Sequence, residues 1–253
     1  MLRDHVRDRC RCIRTGVLSL LGGEHVDVTV KERLLDAAYR RLSAEGIGSL
    51  QARGIAADVG LSTSALYTHY GNISGLLNAV RDRAYGEFAD ALLAPGQTDD
   101  PVADLLAMGL AHRIFALVKK NEYALLFSQQ VNVPRPGIKA SFPEGHGLET
   151  MSPAATHAFQ VLYDTTQRML DSGRFGDADA VIVATQLWAA IHGCVSLELT
   201  GHLNPESDLG VFASLFVTQL IGLGDSPERV GMSMAKAIRR VPNGIALNPA
   251  KSA

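Results

Sequence analysis

Cysteine is scarce in this chain: Cys10, Cys12 and Cys194 are the whole complement. Three unevenly placed thiols build no disulfide framework, which suits a reducing cytoplasm. Cys10 and Cys12, beside His5, lack the second cluster that a four-ligand zinc site needs, so no metal is expected. Charge of one sign is missing too. A net charge of −2 and a pI near 6.4 exclude a wholesale basic coat for nucleic acid, though not a local patch. There is no Walker A glycine loop, no G-x-G-x-x-G, no G-x-S-x-G elbow and no Glu-x-x-His pair. That removes the nucleotide-binding, α/β-hydrolase and helical di-metal classes. Glu198 and His202, four apart, are the one hint of acid–base work, and no nucleophile or metal set accompanies them. Neither an enzyme activity nor a cofactor is expected. Long uninterrupted apolar runs are also absent. Val17–Leu21 is too short for a secretory signal. Ala180–Leu199 would nearly span a bilayer, but Gln186, His192 and Glu198 interrupt it. It reads as a helix of a protein core or subunit interface, and no membrane partner is expected.

What is present is a chain of 253 residues, 47% of them hydrophobic, enough for one or two globular domains. Its charge is uneven. Residues 1–80 carry ten Lys and Arg against eight Asp and Glu, and the remainder fourteen against eighteen. The N-terminal part is therefore the one expected to meet a polyanion. Its first fourteen residues hold five arginines and two aspartates. The expectation is a mobile tail over 1–27; the sharper alternative is an arm on DNA phosphates.

Helical signals dominate, and no convincing strand occurs. Thr29-Val30-Lys31-Glu32 is a capping box ahead of an i+4 stripe of Val30, Leu34, Ala38 and Leu42, so a helix is predicted over about 30–45. Gln51–Val59 follows as a short helix with Ile55, Ala56 and Val59 inward. Gly60 permits a sharp turn, and Ser62 caps a second short helix to about His69 with Leu66 and Tyr70 inward. Thr63, Ser64, Tyr67 and Thr68 share its outer face. Two short helices about a glycine turn, the second polar outside, make a helix-turn-helix whose second helix is sized for the major groove. Longer helices are predicted over about 73–93, 101–120 (Leu105, Met108, His112, Phe115 and Val118 inward), 153–170, 177–202 and 207–223. Glu122–Gln129 is short and aromatic, 130–152 is a Pro/Gly-rich loop, and Pro227–Arg240 is a candidate last amphipathic helix.

Residues 29–77 resemble the TetR family of transcriptional regulators. The matching residues are Ile55-Ala56, Gly60-Leu61-Ser62, Leu66-Tyr67-Thr68-His69-Tyr70 and Leu76-Leu77. Trp188, His192 and Gly193 in one helix are similar to the WHG-type C-terminal domain of part of that family, and the aromatic 122–128 segment is similar as well. The resemblance implies an all-α protein. A three-helix, helix-turn-helix DNA-binding domain (28–78) precedes a larger helical domain (79–223) that binds an effector and dimerises, and 224–253 is left as a tail with a possible short helix. It further implies a cytoplasmic homodimer on a roughly palindromic double-stranded operator. Most members repress and let go when a small molecule binds. Ile73 stands where the family commonly has a phosphate-approaching lysine, so that backbone contact is expected to be missing.

The expected DNA-binding residues combine both lines. Gln51 is an N-cap or phosphate donor. Arg53 matches a family position that reaches a base or phosphate, and Tyr67 and His69 match phosphate-touching positions. Thr63, Ser64 and Thr68 are hydroxyl donors, and Ala65 is placed for a thymine methyl. The candidate effector residues are Met108, His112, Phe115, Phe127, Phe159, Tyr163, Trp188 and His192, an apolar lining with a few polar anchors. Phe212, Leu215, Phe216 and Gln219 are the candidate interface residues between protomers. The alternatives are a helix-turn-helix protein without ligand control, and an activator.

Overall fold

The computed structural model describes residues 29–127, 152–204 and 209–241. The N-terminal segment 1–27 with its arginines and paired cysteines, nearly all of the 130–152 loop, and the end of the chain lie outside them. Among the described residues the chain is helical throughout, without strands.

Helix α1 (Val30–Glu45) opens on the capping box. Thr29 Oγ1 accepts the Glu32 N–H at 3.2 Å, and the Glu32 carboxylate accepts the Thr29 N–H at 2.9 Å. A single 3₁₀ turn (Ile47–Ser49) leads to α2 (Ala52–Asp58) and α3 (Thr63–Tyr70), each within a residue or two of its predicted limits. Leu34, Leu42, Ile55 and Leu66 are fully buried where these three helices meet. Gly60, at φ +69°, makes the turn between α2 and α3 in a region that side chains with a Cβ avoid. Polar ties fix the triangle: Arg33 donates to the Val59 carbonyl at 2.8 Å, the Tyr70 hydroxyl to the Lys31 carbonyl at 2.8 Å, and Arg41 pairs with Asp58.

Helix α4 (Ile73–Leu93) carries the head onto the body. Asn72 caps it, accepting the Gly75 N–H at 2.9 Å, and Ile73 packs half-buried against the core. A Cβ on Gly75 would sit 2.1 Å from the Tyr70 carbonyl oxygen, so only glycine lets α4 start this close to the end of α3. The body adds α5 (Pro101–Val118), α6 (Lys120–Phe127), α7 (Pro153–Met169), α8 (Ala180–Leu199), α9 (Leu209–Gly222) and α10 (Pro227–Arg240). Helix α5 runs through the middle, apolar on nearly every side and 72% buried, against 39% for α8. Both are long and apolar enough to cross a membrane, but α5 is enclosed by protein. Val118, predicted inward, is 64% exposed, because α5 ends there and the chain turns into α6.

The candidate last helix forms over Pro227–Arg240 as expected, and it packs as part of the body. α10 lies along α5, held by two carboxylates at the start of α5. Asp100 accepts from Ser233 at 3.0 Å and Lys236 at 2.9 Å, and Asp104 accepts from Arg240 at 2.6 Å and Arg168 at 3.2 Å. Burial acts to raise both carboxyls, but their donors win and hold them below the usual carboxylate range.

Candidate functional site

Two sets of residues stand apart from plain packing. The first is the outer face of α3. Ser64, Tyr67, Thr68 and His69 are exposed there, Tyr67 by 47%, while Thr63 and Ala65 are half-buried at its edge. Gln51 takes the N-cap position of α2 with extended backbone but makes no side-chain cap, so its exposed amide faces outward uncommitted to the helix. Arg53 is exposed on the first turn of the same helix. The Thr68 hydroxyl donates back to the Ser64 carbonyl at 3.0 Å, so toward a partner it offers acceptor capacity first. Ser62 turns its oxygen onto the Ala65 N–H at 3.4 Å and serves the helix itself. A large aromatic left half-exposed between hydroxyl side chains on a short helix is a surface built for contact.

The second set is a knot of rings between α4, α5, α6 and α8. His112, Phe127 and His192 from the expected effector residues meet there. His112 and His192 centroids are 4.9 Å apart, and Phe127 and His192 are 4.4 Å apart. Trp188 lies 5.2 Å from His192 and pairs with Phe159 at 6.0 Å. Phe115 is drawn in through Phe88, at 5.2 Å. Met108 is buried in the core, and Tyr163 is half-buried on α7; among the described residues neither joins a ring pair. Sequence reasoning passed over Tyr123, Phe88 and Tyr85. Tyr123 matters most: its hydroxyl is 3.1 Å from His112 Nε2 and 2.6 Å from His192 Nδ1. The aromatic character of the 122–128 segment was the only signal for it.

Burial sets the charge state of this knot. It pushes His112 well below its ordinary pKa, with the neighbouring His192 adding to the effect, and holds His192 down to about 4. It also pushes the Tyr123 phenol up. All three are neutral at pH 7. Next to them, Arg113 Nε donates to both carboxylate oxygens of Glu198 at 2.9 Å, with both side chains essentially inaccessible. Glu198 is thereby committed to structure, and His202 bonds Thr200 at 2.9 Å, so the two form no acid–base pair.

Helix α6 joins the ring knot to α1 of the head. In its first turn Asn121 donates to the Ser43 carbonyl of α1 at 3.1 Å, and the Glu122 carboxylate accepts the Ser43 hydroxyl at 2.5 Å. The very next residue is Tyr123.

The interface candidates divide. Phe212 and Phe216 are buried inside this one chain, 4.9 Å apart and packed toward Gly109 of α5, with the Arg113 guanidinium 5.7 Å from the Phe212 ring. They are core residues and leave nothing for a second protomer. Leu215 and Gln219 are half-buried. The apolar side chains that do face outward on α8 and α9 are Ile182, Leu197, Val211 and Ile221.

A small three-helix head presenting a helix-turn-helix, fused through one long helix to an all-helical body, is the build of a DNA-binding transcriptional regulator. Comparison with known proteins agrees. Residues 34–80 match the family described as bacterial regulatory proteins, tetR family, and residues 105–220 match the tetracyclin repressor-like C-terminal domain. The HTH-type transcriptional regulator Rv1816 of Mycobacterium tuberculosis is 26% identical over 208 residues, covering 72% of this chain and 86% of that protein. Among solved structures, a protein of unknown function from Rhodococcus sp. RHA1 superposes with a TM-score of 0.63 at 20% identity, over 80% of this chain and all of that one. RolR, solved in complex with resorcinol, superposes at 0.55 with 15% identity, over 83% and 93%. The two structures share the fold. This chain belongs to the TetR family of transcriptional regulators, and that family and Rv1816 are regulators rather than enzymes.

Proposed function

We propose that this regulator is a cytoplasmic repressor, homodimeric through α8 and α9, that sits on a roughly palindromic operator and leaves it when a small, largely apolar molecule occupies the ring knot. The observation that carries the reading is α6, one short helix bonded at its first turn to α1 of the head and, one residue on, to the histidines of the knot. A ligand that preferred a different spacing of α5, α6 and α8 would bias the head directly. RolR's resorcinol supports a small-molecule site within this fold. On the DNA side, Arg53 with Tyr67 forms the working pair: a guanidinium suited to guanine or phosphate, and a phenol suited to phosphate. Few cations share the α3 face, so binding should weaken only modestly with salt.

The test is a mobility-shift titration on DNA flanking the gene. The Arg53→Ala, Tyr67→Ala double variant is expected to lose about a hundredfold in specific affinity, at roughly 1–3 kcal/mol per contact, with its thermal stability unchanged. Wild-type affinity in the double variant would sink the assignment of this face.

A further inference from the structure

The ring knot contains a polar atom that no other described residue uses. His192 Nε2 is buried and has no hydrogen-bond partner among the described residues. The two bonds of Tyr123 determine what this atom is. N–H···O bonds run to about 2.7–3.2 Å, and O–H donors make shorter ones. Tyr123 has one proton to give. We assign the shorter contact, 2.6 Å, to the Tyr123 hydroxyl donating to His192 Nδ1, and the longer, 3.1 Å, to the His112 Nε2–H donating to the Tyr123 oxygen. With Nδ1 accepting, the neutral His192 ring carries its proton on Nε2. The relay therefore runs His112 to Tyr123 to His192 and ends in an unmet N–H donor, polarised by the two bonds behind it. Around that donor are rings: Phe127 at 4.4 Å and Trp188 at 5.2 Å from His192, with Phe159 beyond Trp188.

We propose that the His192 Nε2–H is the anchor of the effector, and that the effector is a small uncharged aromatic carrying an acceptor oxygen: an aryl ketone, an aryl aldehyde or a phenol. This rests on reading the ring knot as the effector site. A purely hydrocarbon ligand would leave the donor unmet in an apolar surround, which is costly. A carboxylate is not served by Arg113, the residue after His112, which is paired to Glu198 at 2.9 Å on both oxygens. Protonating His192 to receive it is disfavoured by about a thousandfold at pH 7, given its pKa near 4.

Trp188 is the sole tryptophan of the chain, so its fluorescence reports occupancy of this site directly. The full-length protein is titrated at pH 7.5 with acetophenone, with α-methylstyrene (the same shape with CH₂ in place of the oxygen) and with benzoate. Acetophenone is expected to bind about tenfold or more tighter than α-methylstyrene, with benzoate weakest. His192→Phe should abolish the preference while retaining α-methylstyrene binding. Tyr123→Phe, which frees Nδ1 to carry the proton, should reduce the preference without removing it. Nitrogen-15 shifts of His192 should show the Nε2–H tautomer in the wild type. Equal binding of acetophenone and α-methylstyrene, a preference that survives His192→Phe, or benzoate binding tightest each overturns the anchor while leaving the effector site in place. If none of the three alters Trp188 emission, the effector-site reading falls together with the anchor.

Discussion

His192 combines two properties that are rarely tolerated together in a core, an ionisable ring and a polar atom with no partner among the described residues. The ring stays because Tyr123 satisfies Nδ1 and because burial keeps it uncharged. Its depressed pKa has a consequence for stability. In the unfolded chain His192 takes up a proton near pH 6.5, but in the folded protein it resists until about pH 4. Between those values the unfolded state binds more protons, so stability falls as pH falls through that window and is undiminished above it. His192 alone accounts for about 3 kcal/mol across the window, and His112, shifted the same way, adds to it. The carboxylates Glu87, Asp100 and Asp104 move in the opposite direction: burial opposes their ionisation, but hydrogen bonds and neighbouring cations hold them low, so their contribution is lost at more acid pH. Denaturant midpoints measured from pH 7 to pH 4.5 should drop steeply in the wild type and clearly less in His192→Phe. Parallel curves would mean that His192 titrates as a solvent-exposed histidine.

At the scale of elements, α6 is the piece whose role could least be inferred from composition. It is eight residues long, and three successive side chains face two different clients: Asn121 and Glu122 reach Ser43, and Tyr123 reaches the histidines. Removing the Ser43 hydroxyl takes away the Glu122 half of the grip on α1, leaving the Asn121 bond to the Ser43 carbonyl, at a residue distant from the rings. Ser43→Ala should leave ligand affinity, read from Trp188, within about twofold of wild type. It should lower the ligand-induced loss of operator affinity by about fivefold, near 1 kcal/mol of coupling. An undiminished ligand response in that variant would show that the Glu122–Ser43 bond does not carry the signal. The contrast with the head explains what was legible beforehand. The capping box of Thr29 and Glu32, the Ser62 cap and the Gly60 turn are local rules, written within four residues of one another, and the head follows them closely. Tyr123 meets partners 11 and 69 residues away, and α10 is fastened to carboxylates more than 130 residues upstream. Periodicity marks α10 as amphipathic, but does not say that Asp100 and Asp104 wait for it.

At the scale of the whole molecule, the same limit separates core from interface. Helices α8 and α9 are apolar on more than one face, and pattern alone does not say which face the chain keeps for itself. Phe212 and Phe216, the bulkiest side chains of α9, go inward onto α5. What remains outside is a continuous row on α8 of Ile182, Gln186, Ala189, Gly193 and Leu197, beside Val211 and Ile221 of α9. A monomer leaves Ile182 55% and Val211 50% exposed, and small residues at 189 and 193 let a second helix approach closely. On the proposed reading, an operator read by two heads closes this face, since each head alone would contact one half-site about 34–36 Å from the other. Ile182 and Val211 both lie in the first turns of their helices, where a glutamate is favoured by the helix dipole. The double substitution Ile182→Glu, Val211→Glu therefore attacks the interface without attacking the helices. Sedimentation should show a monomer of wild-type helicity, and operator affinity should fall by a hundredfold or more as binding loses its second site. A dimer that persisted with four new carboxylates on this face would place the interface elsewhere on the body.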